Sequence, residues 1–174
     1  MIKGALIVIL GIVCLLAFSV YYARRCRARL FKRVASFPHT SVAASAGKLR
    51  NYISDHHPEI ANASLEDTAP LLEELIKGIV GPARFDVSDN EALVLAIGSY
   101  IGDGLAADYS GRWHDSPESG PALVFGHGDA ELTMHPVEKA AAFREFGTPG
   151  DLHAYIVAAR EIGREMNNRA TACS

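Results

Sequence analysis

Residues 88 to 136 read SDNEALVLAIGSYIGDGLAADYSGRWHDSPESGPALVFGHGDAELTMHP, and this stretch sets the fold class. Its first half has helical periodicity. Ala92, Leu93, Ala96, Ile97, Tyr100, Ile101 and Leu105 recur at three- and four-residue steps, an apolar stripe wide enough for the central helix of a core. Ser88 stands three residues before Glu91, the spacing of a capping box, so the helix is expected from Asp89 to about Asp108. Its second half has strand character: 112–115, 122–125 and 131–134 are short strand candidates. The segments between them, Ser116 to Gly120 and Gly126 to Asp129, have turn compositions, and an antiparallel meander is the economical assembly. Trp113, the single tryptophan, reads as a core anchor.

Within the central helix Gly98, Gly102 and Gly104 are costly, each about 1 kcal/mol worse than alanine. Gly98 and Gly102 fall on one face, where a second helix or a sheet can approach closely. Asp103 lies between glycines. It reads either as a carboxylate lining a pocket or as a solvated or Arg-paired acid, and the second reading is preferred.

Outside this core the decisive feature is the N-terminus. Residues 4 to 23 carry no charge and are almost wholly aliphatic or aromatic. About 20 such residues, rising roughly 1.5 Å each, match a hydrocarbon core of about 30 Å, so residues 1–23 are expected to form a transmembrane anchor. A cleaved signal peptide would need small residues after the run, where Val20, Tyr21 and Tyr22 stand. A lipoprotein signal would need them before Cys14, where Ile12 and Val13 stand. Lys3 alone precedes the run, whereas Arg24, Arg25, Arg27, Arg29, Lys32 and Arg33 follow it. This asymmetry predicts a single-pass protein with a basic collar on the lipid surface and the C-terminal domain in the cytoplasm.

The formal net charge of −3 conceals a division. Residues 1–35 hold seven of the seventeen basic residues and no acid, leaving ten bases against twenty acids, a balance of −10, for the remainder. Nucleic acid is therefore not expected as a partner of the domain. Three cysteines imply no disulfide framework.

The segment 24–47 reads as collar and linker, its second half rich in Ala and Ser with Pro38 among them, and 48–167 as one globular domain. Leu49, Tyr52 and Ile53 mark a short helix ending near His56, His57 and Pro58. His56 and His57 beside Glu59 invite a metal reading, but adjacent helical residues point about 100° apart and do not converge on one ion. Thr68, Ala69 and Pro70 are expected in the first turn of a helix that follows Ser64 and carries Leu71, Leu72, Leu75, Ile76 and Ile79 inward, with Glu73, Glu74 and Lys77 outward. Gly81-Pro82 is its expected end. Pro136 to Phe146 is another helix. A last one follows Gly147 to Gly150, capped by Asp151, with Leu152, Tyr155, Ile156, Ala159, Ile162 and Met166 as its buried stripe and 168–174 as a tail. The whole reads as α+β: an N-terminal transmembrane helix and a single domain of four or five helices around a small antiparallel meander.

No nucleophile, phosphate loop or metal-ligand signature emerges, and no cofactor is expected. His114, His127 and His135 lie on or beside the strands, but their spacing matches no familiar ligand set. The candidate pocket is Asp103, Trp113, His114 and His127.

The run Leu95 to Leu105, then Gly111-Arg112-Trp113, Pro121-Ala122-Leu123, the Pro136 helix start and Gly150-Asp151-Leu152 resembles a group of small bacterial domains of unknown function. These share a glycine-bearing helix with Gly-Asp, a Gly-x-Trp strand, a strand pair and closing helices. The resemblance spans roughly residues 68–165, omits the membrane anchor and implies an α+β fold without a reaction or ligand; the anchor and its flanking charges are what predict a bacterial inner-membrane location. His114 and His127 fall outside its pattern.

Two functions compete. One is a non-catalytic module on the inner face of the membrane that binds a protein with a basic surface, as an immunity or regulatory protein would, since acidic inhibitors complement basic active sites. The other is a small hydrolase-type enzyme using Asp103 with His114 or His127.

Overall fold

The computed structural model describes residues 32, 41–78, 90–116, 120–126 and 131–172. The fold is α+β, with helices α1 (Val42–His56), α2 (Leu65–Lys77), α3 (Asn90–Tyr109), α4 (Pro136–Phe146) and α5 (Asp151–Ala172). Between α3 and α4 lie strands β1 (Arg112–Ser116), β2 (Gly120–Phe125) and β3 (Leu132–Met134). The strands form an antiparallel meander in the order β1-β2-β3, with Trp113 opposite Leu123 and Leu123 opposite Met134. Among the described residues no helix is long and apolar enough to cross a membrane. The expected anchor at 1–23, the capping serine Ser88 and the turn residues around Pro117 and His127 lie outside the described residues. So does the basic collar, apart from an exposed Lys32.

α3 is the centre of the core. Leu93, Ile97, Ile101 and Leu105 are buried and meet Leu49 and Ile53 of α1, Leu72 and Leu75 of α2, Leu123 and Phe125 of β2, Val137 of α4 and Ile156 of α5 in one cluster. The glycines do what their spacing suggests. A Cβ on Gly98 would meet Val137 Cα, with Val137 N at 2.8 Å and the Pro136 carbonyl at 3.0 Å. One on Gly102 would meet the Trp113 ring. The first turn of α4 and the β1 tryptophan are thus seated on a groove that only glycine leaves open. α3 ends where Ser110 adopts a positive φ of 54° and the Gly111 N–H donates to the Ala106 carbonyl at 3.1 Å.

Four expectations are corrected. α1 begins at Val42, and Val42 and Ala46 are buried with Leu49 and Ile53, so the boundary drawn at residue 48 falls inside a helix. The Ala- and Ser-rich run that suggests a linker instead forms the first turns of α1, with Ala46 buried and Ala43 and Ala44 exposed. Pro70 is the sixth residue of α2, not a first-turn residue; it is exposed, and its ring removes one helical N–H bond on the solvent side. α2 ends earlier than Gly81, at Gly78, whose φ of 70° and N–H bonds to Glu74 and Leu75 close the helix. α5 runs through the expected tail to Ala172, and its buried seam turns from Ile162, which is 40% exposed, to Gly163, whose missing side chain accommodates the Tyr109 ring.

Contacts between named residues fix the directions of the helices. Arg50 lies beside Tyr100 and Asp103, and the segment after α1 reaches Gly104 and Asp108, so α1 runs parallel to α3. Leu65 contacts Gly104, whereas Glu73 reaches Gly150 at the start of α5, so α2 runs the opposite way. Lys77 then meets Phe143 and Arg144, which places the end of α4 with the end of α2. The domain therefore has two distinct ends. One carries Val42, Lys77, Phe146 and Gly150; the other carries the end of α1, the start of α2 and the end of α3.

Candidate functional site

Asp103 sits on α3 one residue past the Gly102 groove that receives Trp113. Its side chain is 25% exposed. Trp113 Nε1–H donates to its Oδ1 at 3.0 Å, and Arg50 Nη2 lies 3.7 Å from Oδ2. The carboxylate thus ties β1, α3 and α1 together. The Arg-paired expectation for Asp103 holds, and the tryptophan bond is an addition to it. Period-two alternation puts His114 on the opposite face of β1 from Trp113, exposed, so the fold does not bring it to Asp103. His127 lies outside the described residues. Of the candidate pocket, then, the structure joins Asp103 with Trp113 and separates both from His114.

Beside this clasp lies a cleft of about 280 Å³ whose walls include Arg50, Ser64, Tyr100, Gly104, Asp108 and Arg160. Its cations are matched by acids. Arg160 Nη1 is 3.2 Å from Glu66 and its Nη2 is 3.5 Å from Asp108, while Arg50 faces Asp103. The Tyr109 hydroxyl beside Arg160 is the main influence raising the pKa of that guanidinium, opposed by its burial and assisted by Glu66 and Asp108. The cleft is an ion-paired junction of α1, α2, α3 and α5. Arg160 completes it from α5, a residue that periodicity places only at the margin of the buried stripe.

A second polar cluster lies at the other end. Glu73 Oε1 accepts from Leu152 N at 2.9 Å and His153 N at 3.2 Å, and Oε2 from Gly150 N at 2.8 Å. These are donors that a helix start leaves without intrahelical partners, and the negative charge complements the α5 dipole. Helical spacing points Glu73 outward; it is instead the cap of a helix nearly eighty residues away, a pairing without local signal. Asp151 accepts from Thr148 N at 2.8 Å, and that bond holds its carboxyl below the usual 3.8. On α5, burial raises the Tyr155 phenol pKa, with Glu138 contributing.

Among the described residues no group of three or more His, Cys, Asp or Glu side chains is placed to hold a metal ion. His56 Nδ1 is 3.0 Å from the Tyr52 carbonyl, and its ring stacks on Tyr52 at 4.5 Å. His57 faces Glu59 at 3.6 Å. The two histidines thus diverge into separate contacts. Comparison with family models, curated proteins and solved structures finds no match.

Proposed function

We propose that this chain is a membrane-tethered, non-catalytic binding module of the bacterial inner membrane, with its domain on the cytoplasmic side and its acidic surface taking a protein partner of basic surface, in the manner of an immunity or regulatory protein. The observation that carries this reading is the distribution of acids. Asp55, Glu59 and Asp67 are exposed where α1 ends and α2 begins, the end of the domain opposite Val42, at which the tether arrives. An acidic surface directed away from an anionic bilayer is open to a cationic partner, and complementary charge there speeds encounter. The bonds from Trp113 and Arg50 to Asp103 add support, because a carboxylate occupied in joining three elements has a structural role to keep.

The test has two arms in intact bacteria. A membrane-impermeant thiol reagent should leave Cys173 unlabelled until the cells are opened; labelling from outside overturns the topology. A photocrosslinking residue at Asp55 should form an adduct with a basic protein, and the charge reversals Glu59→Lys and Asp67→Lys should abolish it. An adduct that survives both reversals, or none at all, overturns the acidic-surface reading.

A further inference from the structure

Resting on the tethered reading above, we propose that the end of the domain bearing Phe146 lies against the lipid surface, with Phe146 and the following Gly147-Thr148-Pro149-Gly150 turn seated among the headgroups. Among the described residues only two large apolar side chains are exposed, and Phe146, at 56%, is the more exposed. It caps the corner where α4 ends and α5 begins. The corner is tight: Gly147 packs on the Phe143 ring, which projects Phe146 outward. Thr148, Pro149 and Gly150 are also exposed and carry no charge.

Of the acids nearest this corner, Glu73 is half-buried and Asp151 is exposed. Glu73 is held by three backbone amides of the α5 start and Asp151 by the Thr148 amide. Lys77 is drawn onto the Phe143 ring and the Arg144 carbonyl. The remaining exposed acids of this end, Glu74 and Glu145, flank the turn rather than tip it. An aromatic side chain on an uncharged projection suits the headgroup layer, where amphipathic and aromatic groups partition.

The reach of the tether selects the same surface. The nine steps from Arg33 to Val42 span at most about 32 Å when fully extended, so Val42 stays within that distance of the basic collar. Val42 lies at the Phe146 end of the domain. A single phenylalanine would hold a free protein to lipid only weakly, but a tether turns the second contact into an intramolecular one at high effective concentration. The Phe146 end carries exposed acids of its own, Glu74, Glu145 and Asp151, so the apolar corner and the tether, not charge, select this orientation, and it leaves the opposite end for the partner.

The experiment uses the full chain in vesicles of phosphatidylethanolamine and phosphatidylglycerol, with Cys14, Cys26 and Cys173 replaced by serine. Nitroxide labels are placed singly through Phe146→Cys, Asp55→Cys and Leu16→Cys, and collision with lipid-soluble oxygen is compared with collision with a water-soluble nickel chelate. The label at 146 is expected to favour oxygen severalfold over the label at 55, with little change on raising salt. A nickel-accessible label at 146 beside an oxygen-favouring label at 16 overturns the proposal and leaves the anchor standing. A label at 16 that favours nickel overturns the anchor itself. Shielding of 146 from both reagents means that protein, from a second copy or a partner, covers this corner, and that also overturns the lipid assignment.

Discussion

Gly98→Ala tests the architecture at its tightest point. The added methyl would fall on Val137 Cα and within 2.8 Å of Val137 N and 3.0 Å of the Pro136 carbonyl. Favourable carbon contacts lie at about 3.5–4.0 Å, so the start of α4 would have to move by roughly 1 Å. These are backbone atoms and no rotamer change relieves them. Alanine gains about 1 kcal/mol of helix propensity over glycine. Overpacking costs about 1–3 kcal/mol and belongs at the upper end where backbone is met. The expected balance is a loss of about 1–2 kcal/mol, or a melting temperature lower by about 4–7 °C for a domain of this size. Urea and thermal unfolding of residues 41–174 would measure it through the fluorescence of Trp113, the single tryptophan. Gly104→Ala is the internal control: its Cβ would meet only the Leu65 side chain, at 3.3 Å, which can rotate, so alanine there should be neutral or stabilising. A Gly98→Ala domain more stable than the parent would refute the seating of α4 on α3.

Asp103→Ala should destabilise by about 1–3 kcal/mol because the Trp113 Nε1–H loses its acceptor. Asp103→Asn, which keeps an acceptor, should cost less, and equal losses in urea titrations would mean that the tryptophan bond contributes nothing. Glu73→Ala should cost about 1–2 kcal/mol as a lost helix cap, and hydrogen exchange should quicken selectively at residues 150–153. Uniform acceleration across α5 would count against local capping. Residues 41–174 should unfold cooperatively, whereas residues 48–174, stripped of the buried Val42 and Ala46, should be several kcal/mol weaker by the usual cost of emptied core positions. Matching denaturation midpoints would restore the boundary at residue 48.

The fold class was legible in residues 88–136 because periodicity is a local property. A helical stripe that gives way to alternating segments separated by turn residues has few other assemblies, and the strands, the central helix and Pro136–Phe146 stand where the pattern places them. The glycine pair also spoke locally: two costly residues one turn apart require a close neighbour, although only the structure shows that the neighbours are Val137 and Trp113. Exposure of Ile162 was not legible, since residues one step apart on α5 compete for the same seam and the Tyr109 ring, from another helix, decides in favour of Gly163. The site chemistry was hidden for the same reason. Asp103, Glu73 and Arg160 are ordinary charged residues on helix surfaces until the fold brings Trp113, the α5 amides and Asp108 to them. The sequence determined which faces must be buried, because hydrophobic patterning acts over a few residues. Which polar groups meet, and which end of the domain receives the tether, was decided by tertiary packing, because those pairings join atoms that the chain holds as many as eighty residues apart.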